Sequence, residues 1–326
     1  MAKSSEPLLK IENYSLILKG SDGLKLPVLN NVNLSVESGK TLGVAGESGS
    51  GKSVLALSIM GLIPEASLSS RKGRILFQEK NICDMSEESL RTIRGSGISI
   101  VFQEPMSAMN PLLTLYEQIA ETVWAHRPDL SEKEVRQKVI LALKQAGFAD
   151  PESILCTYPH RLSGGMRQRA MLAMATVLDP PLILADEPTT ALDASLQVQL
   201  LIELRKAVRE RNHSLVFISH DLGVIKNIAD YLAVLYAGTV VEYGPAEDVL
   251  NHPAHPYTNA LVSSLPRLIK QKILPKPIPG HLPAPGNLPL GCVFSDRCPK
   301  SAEKCRQETP EESGAHNTGF VKCFFP

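Results

Sequence analysis

The sequence predicts an α/β fold: a mixed sheet, an inserted helical subdomain and a small cysteine-containing extension at the C-terminus. Three observations carry this expectation. Short apolar, β-rich runs alternate with amphipathic stretches from Leu8 to about Leu250, one long stretch between two such runs is helical in pattern, and beyond Leu250 the composition turns to Pro and Cys. The expected strands are Thr41–Ala45, Ile98–Phe102, Leu182–Ala185 and Leu215–Ser219, nearly all apolar, as strands covered on both faces must be. Tyr231–Tyr236 and Thr239–Tyr243, joined by Ala237-Gly238, read as an antiparallel hairpin at the sheet edge. In the helical stretch between Phe102 and Leu182, Ser131 and Glu134 form a capping box, Val135, Val139 and Leu143 form a stripe, and Gly147 supplies the stop. The expected division is a domain over residues 1–250, with the helical subdomain at about 104–178, and an extension over 251–326. Six prolines between Pro275 and Pro289 exclude a continuous helix or central strand there and suit a semi-rigid spacer. No internal repeat suggests two copies of one domain.

Composition narrows the class of function. The 326 residues include 34 Lys+Arg and 34 Asp+Glu, a formal net charge of +0, which argues against a nucleic-acid partner held by bulk charge. With 43% hydrophobic residues the chain can bury a large core. Met1 to Lys10 is polar and lacks the apolar run of a secretory signal, and runs such as Met171–Leu178 fall short of the roughly 18 residues a membrane span needs. Any membrane association is expected to go through a partner. Six cysteines without an export signal point to a reducing cytosol, and four of them crowd into the last 35 residues.

Gly46-Glu47-Ser48-Gly49-Ser50-Gly51-Lys52-Ser53 matches G-x-x-x-x-G-K-[ST] between an apolar strand and a helix opening, the context this motif requires. Glycines let backbone N–H groups curl around phosphate oxygens, the helix N-terminus favours the anion, Lys52 reaches the β and γ phosphates, and Ser53 suits Mg²⁺. The apolar run Leu182–Ala185 ends in Asp186 and Glu187. In a phosphate-loop enzyme Asp186 suits the metal, and Glu187 is placed to polarise an attacking water as general base. A strand end with solvated charges is the plain alternative, and the loop at 46–53 weighs against it.

Leu162-Ser163-Gly164-Gly165-Met166-Arg167-Gln168-Arg169, upstream of the Asp-Glu pair, resembles the signature of ATP-binding cassette (ABC) ATPases, with Met166 where Gln is usual. Ser163, Gly164 and Gly165 opening a helix make a second phosphate-binding N-terminus. The resemblance implies that this second site faces the γ-phosphate held by the other subunit of a head-to-tail dimer. It also implies a Q-loop role for Gln103, touching Mg²⁺ and coupling to a membrane subunit, a D-loop at Ala191-Leu192-Asp193, and a switch histidine at His220. The aromatic residue on which the family often stacks adenine has no counterpart: the matching position is Leu18, with Tyr14 four residues earlier.

Asn251-His252-Pro253-Ala254-His255-Pro256-Tyr257-Thr258, then Ile278-Pro279-Gly280, Gly291-Cys292 and Arg297-Cys298-Pro299, resemble the C-terminal region of dipeptide, oligopeptide and nickel importer ATPases. Ile59-Met60-Gly61-Leu62 and Ser163–Met166 resemble the D-type subunit, which pairs with a related F-type ATPase. The resemblance implies a peripheral protein on the cytoplasmic side of the inner membrane, hydrolysing ATP for two permease subunits and an extracytoplasmic binding protein. Di- or oligopeptide is the implied cargo, nickel chelate, glutathione or antimicrobial peptide the alternatives, and a soluble non-transport ABC ATPase the remote one. Cys292, Cys298, Cys305 and Cys323 could hold a [4Fe-4S] cluster or Zn²⁺, or stay unliganded; the close C-x2-C or C-x4-C pair usual in structural zinc sites is absent, and the resemblance favours the cluster. Cys83 and Cys156 read as ordinary residues.

Overall fold

The computed structural model describes residues 6–20, 23–189, 194–265 and 278–326. The elements begin with β1 (Leu9–Lys19), β2 (Lys25–Val36), β3 (Thr41–Ala45), α1 (Lys52–Ile59), β4 (Leu68–Phe77), β5 (Lys80–Asn81), α2 (Glu87–Ile93), β6 (Ile98–Val101), α3 (Pro105–Ala108), α4 (Leu115–His126), α5 (Glu132–Gln145) and α6 (Gly164–Thr176). There follow β7 (Leu182–Asp186), α7 (Ala194–Arg211), β8 (Ser214–Ser219), α8 (Leu222–Ile228), β9 (Tyr231–Tyr236), β10 (Thr239–Pro245), α9 (Ala246–Asn251), α10 (Pro256–Ser263), α11 (Glu303–Gln307), β11 (Ser313–Ala315) and β12 (Gly319–Val321). The chain divides into one unit of Met1–Glu37, Thr41–Asp84 and Phe217–Pro326 and another of Ser38–Lys40 and Met85–Val216.

The first unit contains an antiparallel sheet of order β2-β1-β4-β5. Along β1 the buried positions run Leu9, Ile11, then Tyr14 and Leu16, a change of phase. Asn13 explains it: its φ of 49° marks an irregularity in pairing with both neighbours, and the extra residue turns the next side chains over. Tyr14 is thereby placed in the core, 1% exposed, and Leu18 pairs with Leu26 and Leu68.

The same unit holds a mixed arrangement in which β3 runs parallel to β9, and β9, β10, β12 and β11 follow antiparallel to one another. All five residues of β3 are buried, as its apolar sequence predicts. Ala237 and Gly238, with φ of 44° and 78°, make the two-residue turn between β9 and β10, both left-handed as a type I′ turn requires. The hairpin is not at the edge. Glu242 and Tyr243 of β10 pair with Val321 and Phe320 of β12, so the C-terminal extension covers the strand that the sequence alone leaves open.

In the second unit β6 and β7 are parallel, Ile98 opposite Leu182 through Val101 opposite Ala185. The expected capping box opens α5: Ser131 Oγ accepts from the Glu134 N–H and the Glu134 carboxylate from the Ser131 N–H. A second box, Thr114 with Glu117, opens α4. Val135, Val139, Ala142 and Leu143 form the buried stripe of α5, and Gly147, at φ 88°, follows its end. No helix among the described residues is long and apolar enough to cross a membrane. Pro275 and Pro277, the first of the six prolines, lie outside the described residues.

Candidate nucleotide site and cysteine cluster

In the first unit β3 delivers the chain into the loop of the phosphate motif. Gly46 has no room for a side chain: a Cβ there would lie 2.2 Å from the Leu235 carbonyl oxygen and 2.7 Å from Ser50 Oγ. Gly49 and Gly51 sit at φ 82° and 104°, in the left-handed region. The Ser50 N–H donates to the Glu47 carbonyl at 3.1 Å and the Ser50 carbonyl accepts from the Gly238 N–H at 2.8 Å, which fixes the loop against the β9–β10 turn. Lys52 arches back over it, its Nζ donating to the carbonyls of Gly46 and Glu47, each at 2.9 Å. Gly51 caps α1 without a side-chain hydrogen bond, and Ser48 and Ser53 are exposed. This is a cradle of backbone N–H groups beside a lysine and a hydroxyl, fit for a polyphosphate and its Mg²⁺. His220, also in this unit, follows β8 and is exposed; Asp221 beside it caps α8 through the Gly223 and Val224 N–H groups.

In the second unit the all-buried β7 ends at Asp186, and Glu187 follows at φ 45°, a left-handed backbone uncommon for a non-glycine residue. The structure brings Gln103 to Glu187, amide Nε2 to carboxylate Oε2 at 3.4 Å. The buried Gln168 donates its amide to the Pro188 carbonyl at 2.5 Å and so ties α6 to the chain just after Glu187. Ser163 caps α6, its Oγ accepting from the Met166 N–H at 3.3 Å. Gly164 faces open space, whereas a Cβ on Gly165 would come within 2.8 Å of the Leu196 side chain. Asp193 lies outside the described residues.

The extension, in the first unit, gathers Cys292, Cys298, Cys305 and Cys323 around one cavity of about 10 Å³, lined also by His255, Phe294 and Phe325. All are free thiols. Burial pushes the Cys292 thiol up to about 11, and it raises Cys298 and Cys323 as well. Burial also lowers His255 to about 3, so its ring is neutral; with Nδ1 accepting from the Tyr257 N–H at 3.0 Å, its proton is assigned to Nε2. Four sulfur donors are the soft set that suits an iron–sulfur cluster or zinc. Among the described residues, however, no group of three or more His, Cys, Asp or Glu side chains encloses a position for a metal ion.

Arg297 and Tyr257 belong to the motif strings of the extension, yet sequence reasoning gave them no role. Arg297 Nη1 donates to Glu47 Oε2 at 3.0 Å, and Tyr257 Oη accepts from the Glu47 N–H at 2.9 Å. The available signal was an arginine directly before a cysteine, three residues after the apolar pair Val293-Phe294.

Comparison with known proteins agrees with this geometry. Residues 29–190 match the family described as ABC transporter, and residues 241–305 match the oligopeptide/dipeptide transporter C-terminal region. The chain is 41% identical to the oligopeptide transport ATP-binding protein AppD of Bacillus subtilis, over 92% of this chain and 91% of that one. It is 40% identical to the dipeptide transport ATP-binding protein DppD of the same organism, covering 98% and 95%, and 39% identical to the probable D,D-dipeptide transport ATP-binding protein DdpD of Escherichia coli, covering 99% and 98%. Among solved structures, the dimeric bacterial ABC transporter cassette MJ0796 superposes with a TM-score of 0.65 at 29% identity, over 73% of this chain and 98% of that one. The cbiO1 subunit of Clostridium perfringens gives 0.64 at 28%, over 81% and 96%. The fold and the phosphate loop define an ATP-binding cassette. The chain belongs to the ATP-hydrolysing subunits of ABC transporters that carry the oligopeptide/dipeptide transporter C-terminal region.

Proposed function

We propose that this chain powers the import of di- or oligopeptides. The observation that carries this reading is the match of residues 241–305 to the oligopeptide/dipeptide transporter C-terminal region, on a chain similar along nearly its whole length to peptide-transport ATP-binding proteins. The domains read as a nucleotide-binding domain over 1–250, with a helical subdomain at about 104–178, and the extension over 251–326. Two permease subunits, an extracytoplasmic binding protein and a second ATPase of F type complete the assembly, with this chain peripheral on the cytoplasmic face of the inner membrane.

The backbone of 46–53 and Lys52 hold the β and γ phosphates of ATP. Ser53, Gln103 and Asp186 hold Mg²⁺, which supplies charge neutralisation at the phosphates. Glu187 takes the proton of the attacking water, and the left-handed backbone at this residue together with the Gln103 amide supports a fixed carboxylate. His220 contacts the γ-phosphate, while Ser163, Gly164 and Gly165 of this chain close on the nucleotide held by the partner cassette, whose own signature helix closes on this one. Neither cassette alone then has a complete site. The thiols of Cys292, Cys298, Cys305 and Cys323, which line one cavity, would hold a [4Fe-4S] cluster; iron and acid-labile sulfide assayed on anaerobically purified protein test it.

The deciding experiment is uptake of labelled di- and oligopeptides by the native host with wild-type protein or Glu187→Gln. Loss of uptake with the variant present at the membrane is expected; unchanged uptake would reject peptide import.

A further inference from the structure

The outer turn of the phosphate loop is braced by the cysteine-bearing extension. Besides Glu47, Arg297 binds Tyr236 Oη through Nη1 at 3.2 Å and the Pro279 carbonyl through Nε at 2.8 Å, and its guanidinium lies 5.7 Å from the centre of the Tyr236 ring. Tyr236, Tyr257 and Phe294 are each almost wholly buried and meet with ring centres 4.6–5.3 Å apart. Phe294 and Arg297 both lie between Cys292 and Cys298 in sequence. Leu282 approaches the loop as well, 3.6 Å from where a Cβ on Gly49 would stand.

Glu47 has little choice of partner. Its Oε1 is buried without a hydrogen bond among the described residues, and Oε2 depends on Arg297, whose side chain is 7% exposed. Without the guanidinium, a half-buried carboxylate must turn toward water, since leaving it uncompensated is costly. The carbonyl of Glu47 is one of the two that anchor Lys52 Nζ. A shift of this residue therefore passes directly to the lysine that meets phosphate.

We propose that Arg297 and Tyr257 are positioning residues for nucleotide, holding Glu47 from its side chain and its backbone so that affinity for MgATP depends on the folded cysteine-bearing extension. This rests on the reading of residues 46–53 as the phosphate site. The test is MgATP binding by the purified full-length protein, with steady-state hydrolysis by the assembled transporter, for Arg297→Gln, Arg297→Lys, Tyr257→Phe, Glu47→Gln, the Glu47→Gln/Arg297→Gln pair and a Lys52→Ala control. Arg297→Gln is expected to weaken binding about tenfold, the effect of a lost charge-assisted hydrogen bond. Arg297→Lys should recover part of it, and the double variant should bind no worse than Arg297→Gln, because both act through one contact. In hydrolysis KM should rise while kcat stays within about twofold. A lower kcat at unchanged KM, the mark of a smaller folded fraction, overturns the proposal. If Arg297→Gln does not fold, Tyr257→Phe decides, since it removes one oxygen from a ring that keeps its packing; wild-type affinity there rejects the brace. Wild-type binding by Lys52→Ala instead rejects the phosphate site itself, so the two failures are distinguishable.

Discussion

Replacing Glu242 is the sharpest test of how the extension is joined to the sheet. This residue of β10 is fully buried, and its carboxylate accepts three hydrogen bonds: from the Ala254 N–H at 2.8 Å and His316 Nε2 at 2.7 Å on Oε1, and from the His255 N–H at 2.9 Å on Oε2. Glu242→Gln keeps the shape but has only one acceptor oxygen, so the new NH2 group must face a donor whichever way the amide lies. One lost hydrogen bond to a charged acceptor and one opposed donor cost about 2–3 kcal/mol. Glu242→Ala leaves all three donors without it and should cost about 3–5 kcal/mol, the range for breaking a buried charged network. Denaturant unfolding of the full-length chain, followed at the tyrosines, reads both values from the midpoint at unchanged slope. Because Ala254 and His255 lead into α10, which carries Tyr257, MgATP affinity should fall along with stability. A Glu242→Gln midpoint within about 0.5 kcal/mol of wild type would refute the reasoning, since surface changes alone stay in that range.

Glycines at the two phosphate-binding motifs should respond differently to alanine. Gly46→Ala drives a Cβ to 2.2 Å from a backbone carbonyl that cannot yield, and MgATP binding should be lost; Gly165→Ala meets the mobile end of Leu196 and should only weaken hydrolysis, both read in a titration and a phosphate-release assay. Ser131→Ala removes the cap of α5 and should cost about 1 kcal/mol in unfolding with hydrolysis unchanged. Burial holds the His213 imidazole below its ordinary value, against the opposing pull of the Pro180 carbonyl and Asp179, so the folded chain prefers the neutral ring. Its contribution is present above the unfolded value, about 6.5, and is lost as pH falls below it; His213→Gln should flatten the fall in unfolding midpoint between about pH 7 and 5.

Much of this was legible in the sequence because local patterns and global packing agree. The strand runs Thr41–Ala45 and Leu182–Ala185 are apolar at every position since both faces are covered, and the Ser131–Glu134 box announces α5 in residues three apart. The phosphate motif was legible for the same reason: Gly46 and Gly51 are demanded by close backbone approach and positive φ, constraints that leave a mark on residue type. Long-range pairing leaves no such mark. Nothing in Thr239–Tyr243 says that a strand some 75 residues onward will cover it, so the hairpin reads as an edge until β12 is seen beside β10. The burial of Tyr14 is likewise hidden from the sequence, because the phase change at Asn13 comes from pairing with β2 and β4 rather than from the alternation of β1 itself.

The cover on β10 also explains why a cysteine-bearing extension is attached to this cassette through its phosphate-loop side. Val240 and Val241 are buried in a strand whose outer N–H and C=O groups would otherwise be open to pairing with another chain. β12 satisfies them, and His316, in the turn before β12, reaches Glu242. The strand preceding β10 ends at Tyr236, whose hydroxyl meets Arg297, and the turn between them donates the Gly238 N–H to Ser50. One hairpin thus carries the extension on its outer strand and the phosphate loop at its tip. Any change that loosens β12 or the Cys292–Cys298 turn is transmitted over a few covalent and hydrogen-bonded links to Glu47 and Lys52, without a rearrangement of the strands between.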